Sequence, residues 1–177
     1  MTAALAVPVG TWVLDPARAA VAFSGRAGVL APTFRAAFAS VTGVVEVGER
    51  AVLQVDVDVT SIGTGNRHWD DLLRGLDPFD AQRCPRATYL GVVDLVIADR
   101  AHVDGELELR GVRQPVSLAA QLQPAGDEVR VTATGTVDRR AFGVRCDLPG
   151  VGRLVPSVMR LDIEVTAVRA GQVPRQR

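Results

Sequence analysis

Four ionisable side chains crowd into one short stretch: His68, Asp70, Asp71 and Arg74. With a serine nearby, such a set could supply a general acid, a general base or an activated nucleophile. The spacing argues against each. Asp70 and Asp71 are neighbours, so on a helix they point to different faces and make a poor acid/base pair. Asp70 and Arg74 stand at i and i+4, where they can pair on one face, and a structural pair is the simpler reading than ligand contact. His68 is expected at the exposed surface of the same segment. No Gly-x-Ser-x-Gly elbow occurs, and no serine sits in a triad context. The chain is therefore read as a non-enzyme.

Metal and cofactor chemistry fare no better. There are two histidines, His68 and His102, and two distant cysteines, Cys84 and Cys146, with no Cys-x-x-Cys. No metal site is expected, and the cysteines are read as thiols rather than a disulfide. All 20 basic residues are arginine. A chain without lysine has no Schiff-base lysine, P-loop lysine or pyridoxal-phosphate anchor. The 20 acids balance the 20 bases, which leaves no net field to draw nucleic acid or an anionic surface as a whole.

The charged stretch belongs to a longer insert, Ser61-Ile62-Gly63-Thr64-Gly65 running on to Trp69-Asp70-Asp71-Leu72-Leu73-Arg74-Gly75-Leu76-Asp77-Pro78-Phe79-Asp80. Residues 66–74 can form two helical turns with Trp69, Leu72, Leu73 and Leu76 on one face. Asp77 and Pro78 then resemble an N-cap and first helical residue for a second short turn over 79–83. Elsewhere the pattern has a period of two. Leu53, Val55, Val57 and Val59 alternate with Gln54, Asp56 and Asp58. The same alternation runs through 102–110, 116–122, 129–137 and 159–167, and less cleanly through 19–24, 34–39, 41–47 and 87–97. One wet and one dry face per strand marks antiparallel sheet. About eight strands in up-and-down order predict an all-β, lipocalin-like barrel with a short helical insert. Residues 1–170 form one domain and 171–177 a flexible tail. No apolar run reaches membrane-spanning length, and the opening residues lack the basic start of a secretory signal, so the expected location is the cytoplasm.

Five segments, in order, resemble the YceI-like family, small lipocalin-like proteins that bind polyisoprenoids. They are Trp12-Val13-Leu14-Asp15-Pro16 with Phe23; the 61–80 insert; Pro85 followed by Ala87-Thr88-Tyr89; Gly105-Glu106-Leu107-Glu108-Leu109-Arg110-Gly111-Val112-Arg113-Gln114-Pro115-Val116; and Asp138-Arg139-Arg140-Ala141-Phe142-Gly143-Val144. The likeness covers residues 11–167. The family usually reads Arg-Asp-x-His-Leu where this chain has Trp69-Asp70-Asp71-Leu72-Leu73. Its early histidines are replaced by Arg18 and Ala27, and its double phenylalanine by Pro78-Phe79. This chain thus carries fewer polar anchors.

The resemblance implies a barrel that carries a long-chain isoprenoid, quinone-like or similar apolar lipid without transforming it, and a possible homodimer. An interaction or stress-response barrel with a lumen filled by its own side chains is the alternative. The expected ligand-binding residues are Phe23, Phe38, Val55, Val57, Leu107, Leu118, Phe142 and Met159 of the barrel, and Trp69, Leu72, Leu73 and Phe79 of the insert. The insert is either a lid or a permanent plug. Gly105, Ala120, Ala133 and Gly135 are expected to leave lumen volume. Arg139 and Arg140 are expected to be solvated loop charges, with contact to a ligand head group as the alternative.

Overall fold

The computed structural model describes residues 7–146 and 155–171. Among them the chain forms β1 (Gly10–Gly25), β2 (Phe34–Phe38), β3 (Val41–Val47), β4 (Ala51–Asp58), β5 (Ile62–Gly63), α1 (Arg67–Leu76), β6 (Arg86–Ile97), β7 (Arg100–Leu109), β8 (Val112–Ala125), β9 (Glu128–Asp138) and β10 (Val158–Arg169), with single 3-10 turns at Val59–Ser61 and Arg139–Phe142. The expected tail falls on residues outside those described, apart from Gly171.

All pairings are antiparallel, and β1 closes on β10 with Phe23 opposite Leu161 and Trp12 opposite Arg169. The ten strands make eight staves. β3 pairs with the first part of β1 and β2 with its last part, so the two share one stave. β5 extends the line of β4 and adds to β2 through Ala37–Gly63 and Phe38–Ile62. This closed barrel leaves no long unpaired edge, which is the stable solution for a sheet with one apolar face.

β1 runs through Asp15 and Pro16, where sequence periodicity alone gave no strand. Proline cannot donate to the ladder, and the register with β10 shifts between Leu14 and Ala19. Asp15 accepts from the Ala17 amide at 3.0 Å and from Arg18 at 2.7 Å, and Arg18 also grips both carboxylate oxygens of Glu128 at 2.8 Å. The bulge is held by charge where the ladder lapses.

The two ends of the barrel differ. One carries the short turns at 48–50, 98–99 and 126–127 and is closed by Trp12, which is 1% exposed and donates from Nε1 to the Pro8 carbonyl at 3.0 Å. The other carries the long connections 26–33 and 59–85, the described segments 139–146 and 155–157, and the tight Arg110-Gly111 hairpin. Both residues of that hairpin have positive φ, the geometry that matches the twist of flanking strands.

Candidate functional site

The inward faces of the staves enclose a cavity of about 270 Å³. Ten of the twelve expected residues lie on its wall: Phe23, Phe38, Val55, Val57, Leu73, Phe79, Leu107, Leu118, Phe142 and Met159. At the insert end four rings meet. Phe23 lies 6.2 Å from Phe34, 5.6 Å from Phe38 and 6.3 Å from Phe79, and Phe38 lies 5.6 Å from Phe79. The tilted and edge-on contacts are the favoured geometry for aromatic pairs.

Trp69 and Leu72 are not on the wall. α1 buries only Leu73, while Trp69 and Leu72 are half-buried beside it and Leu76 is 38% exposed. The apolar face expected from spacing is wider than the strip a single short helix can press onto the barrel rim. Phe79 enters from the turn after α1 instead.

The short second turn expected over 79–83 is present, with the Arg83 and Cys84 amides donating to the Asp80 carbonyl at 3.0 and 2.7 Å, and no helix forms there. Asp77 ends α1 in the left-handed region at φ 44°, its amide donating to the Leu73 carbonyl at 3.0 Å. Its carboxylate also accepts from the Ala81 amide at 2.7 Å, so one residue terminates the helix and shapes the chain leading to Cys84. At the other end Asn66 caps α1 by accepting from the amides of His68 and Trp69 at 3.0 and 3.3 Å.

The expected Asp70–Arg74 pair is absent. Arg74 pairs with Asp71 at 2.9 Å, with both side chains largely exposed. Asp70 turns back and accepts from the Thr64 hydroxyl and amide, each at 2.7 Å. Those two bonds hold its carboxyl below the usual carboxylate range. Asp70 is therefore the clasp between α1 and the segment that leads into it from β5.

The polar groups on the wall are occupied elsewhere. Tyr89 donates its hydroxyl to the Val116 carbonyl at 2.9 Å, and burial, with the Asp104 charge, pushes the phenol up to about 12. Arg139 corrects the expectation of a solvated charge. It is half-buried and donates to three backbone carbonyls: Pro156 at 2.9 Å, Val144 at 2.9 Å and Val155 at 3.1 Å. Arg140 is exposed beside Asp138. Cys146 also lines the cavity. Sequence reasoning missed Tyr89 and Arg139 as wall residues. Tyr89 stands at an inward position of the period-two pattern, which was a usable signal; the carbonyls that Arg139 gathers come from a long loop and leave no trace in spacing.

The two small glycines do not leave the volume expected of them, whereas Ala120 and Ala133 line the cavity. A Cβ on Gly105 would lie 2.4 Å from the Leu90 carbonyl oxygen and 2.5 Å from the Tyr89 ring, and one on Gly135 would lie 2.7 Å from Leu118. The space released by glycine is taken by neighbouring large side chains. The cavity that remains is lined by Leu, Val and Phe side chains together with the smaller Ala101, Ala120 and Ala133.

Among the described residues no group of three His, Cys, Asp or Glu could hold a metal ion, and no helix is long and apolar enough to cross a membrane. An eight-staved antiparallel barrel around an apolar cavity, with a helical insert over one end, defines a lipocalin-like barrel. The chain belongs to the YceI-like family, whose domain matches residues 12–167. It is 26% identical over 116 residues to protein YceI of Escherichia coli O157:H7, covering 62% of this chain and 61% of that protein. A UPF0312 protein of Pseudomonas aeruginosa is 28% identical over 102 residues, covering 54% and 53%. The chain thus matches little more than half the length of these relatives. By fold it is similar to BcnA of Burkholderia cenocepacia, with a TM-score of 0.76 at 21% identity, covering 88% of this chain and 99% of that one. It is also similar to a polyisoprenoid-binding domain from Saccharophagus degradans implicated in plant cell wall breakdown, with a TM-score of 0.68 at 17% identity, covering 89% and 98%.

Proposed function

We propose that this protein holds a long-chain isoprenoid or comparable apolar lipid in the barrel lumen and does not transform it. One observation carries the reading: the cavity wall is apolar, and its Tyr89 and Arg139 direct their donors to backbone carbonyls rather than into the lumen. A chemical step needs converging polar groups. A lipid tail needs only a dry wall, and each buried CH₂ contributes about 0.8 kcal/mol. The polyisoprenoid-binding neighbour in Saccharophagus degradans supports the same ligand class.

The cavity volume bounds what is held at once. An apolar cavity of about 150 Å³ accepts one benzene, so 270 Å³ corresponds to on the order of a dozen tail carbons. A longer tail extends beyond that space once the insert shifts. One observation favours the alternative of a self-filled barrel: Tyr89 and Leu118 occupy the room beside Gly105 and Gly135.

The test is native mass spectrometry of the purified protein followed by organic extraction. A co-purified isoprenoid mass is the expected result; a protein that stays empty and takes up no added prenyl compound removes the carrier reading.

We also propose that a second copy seats on the outer wall. Val44, Val52 and Leu90 are 40%, 50% and 49% exposed on three neighbouring strands, β3, β4 and β6. In a closed barrel, pairing of two copies has to use such a face rather than a free strand edge.

A further inference from the structure

Among the described residues the most exposed apolar side chains lie together in the loop 26–33, where Val29 is 90% and Leu30 99% exposed. The run Ala27-Gly28-Val29-Leu30-Ala31-Pro32 contains no polar side chain. The loop nonetheless has shape. The Ala31 amide donates to the Gly28 carbonyl at 3.2 Å, and Arg26 reaches across the base to the Thr33 hydroxyl at 3.3 and 3.1 Å. A clamped turn holds two branched aliphatic residues away from the barrel, where they contribute nothing to its core.

The surroundings are basic. No carboxylate occurs between Asp15 and Glu46. Arg35 and Arg160 flank Ser24 on either side at the end of β1, and Arg26 follows two residues later. Arg160 pairs with Asp162 at 3.0 Å, whereas among the described residues Arg26 and Arg35 have no acidic partner. The loop also stands at the insert end. Phe34, which follows it directly, lines the cavity and meets Phe23.

We propose that loop 26–33 is a membrane-contact tip: Val29 and Leu30 enter the interface of an anionic lipid surface while Arg26 and Arg35 meet its headgroups, bringing the insert end of the barrel against the bilayer. Apolar residues flanked by arginines match the two layers of such an interface, acyl chains below and phosphate above. A soluble protein partner would match the apolar tip but has no such requirement for cations without acidic partners on both sides of it. The tip's purpose rests on the carrier reading, since a lipid ligand has to be drawn from a membrane. The contact itself does not depend on that reading.

The experiment uses delipidated full-length protein and two vesicle types, phosphatidylcholine alone and phosphatidylcholine with phosphatidylglycerol. Co-sedimentation should favour the anionic vesicles and fall with added salt. Leu30→Asp should weaken it about tenfold or more, and Arg26→Gln with Arg35→Gln should abolish the preference for phosphatidylglycerol. Both variants should keep the wild-type melting point and bind an apolar dye in solution within about twofold of wild type, because the tip touches neither core nor lumen. Wild-type protein that ignores both vesicle types, or Leu30→Asp that pellets as well as wild type, overturns the tip. So does a Leu30→Asp variant whose only defect is loss of self-association without vesicles, which would assign the loop to a protein contact. Dye binding lost in all forms with vesicle binding intact would instead overturn the carrier reading alone.

Discussion

The hydroxyl of Tyr89 on β6 donates to the carbonyl of Val116 on β8, two staves away, at 2.9 Å. The ring crosses β7 where Gly105 leaves it room, and Gly91 also stands against it. Gly105→Ala should therefore destabilise the barrel by about 3 kcal/mol, at the upper end of overpacking costs, because the nearest atom is a backbone oxygen that cannot step aside. Tyr89→Phe should cost about 1 kcal/mol, the loss of one buried hydrogen bond. Urea unfolding of both variants checks the order; a Gly105→Ala variant as stable as wild type contradicts it.

Leu107 packs against both apolar clusters of the barrel and faces the cavity. Leu107→Arg should abolish uptake of an apolar ligand, because a lone charge would stand in a dry lumen. Leu107→Met, close in volume, should retain it. Fluorescent-probe titration of the two folded variants gives the comparison, and equal binding by both would place the ligand outside the lumen.

Affinity should climb with prenyl length up to about a dozen carbons and then flatten, because the cavity holds no more without movement of the insert. Isothermal titration with a series of prenyl alcohols would show this. Equal affinity for the shortest and longest members would mean that the head group dominates.

The Asp70 clasp has a pH signature. Its folded carboxyl lies below the ordinary 3.8, so its stabilisation is fully present above 3.8 and is lost as pH falls through the lower folded value. Hydrogen exchange of the α1 amides, corrected for intrinsic rate, should rise across that acid range in wild type. In Asp70→Ala the corrected exchange should be fast and pH-independent throughout. The Asp71–Arg74 pair is exposed, and Arg74→Ala should leave exchange unchanged.

For self-association, Val52→Glu with Leu90→Glu should turn a dimer into a monomer without loss of fold, as read by sedimentation velocity. Wild-type protein that sediments as a monomer at micromolar concentration removes the proposed pairing.

Much of this architecture is legible in the residues. Period-two alternation placed Leu53, Val55 and Val57 on the inner face and Gln54 and Asp56 on the outer one, and the structure agrees. The insert was visible as a change of period. Three kinds of feature were not legible. The continuation of β1 past Pro16 depends on Glu128, 110 residues from Arg18, so no local pattern announces it. The Asp70 clasp depends on Thr64, which lies before the helix and outside its i, i+4 geometry. The filling of the glycine spaces depends on the reach of Tyr89 across a neighbouring strand, which alternation does not encode. Faces follow from local sequence; which side chain claims a given space follows from register between strands.

The closure of β1 on β10 has one more consequence. The Ala170 amide donates to the Thr11 carbonyl at 2.9 Å, so the first and last staves meet at the Trp12 end, opposite the insert. A circular permutant that joined residue 170 to residue 8 through a short linker, and was cut at the 98–99 turn, would keep every stave beside its present neighbours. Its new termini would emerge at the Trp12 end, leaving the insert and loop 26–33 unobstructed, so the barrel could be tethered to a surface with its insert end facing outward.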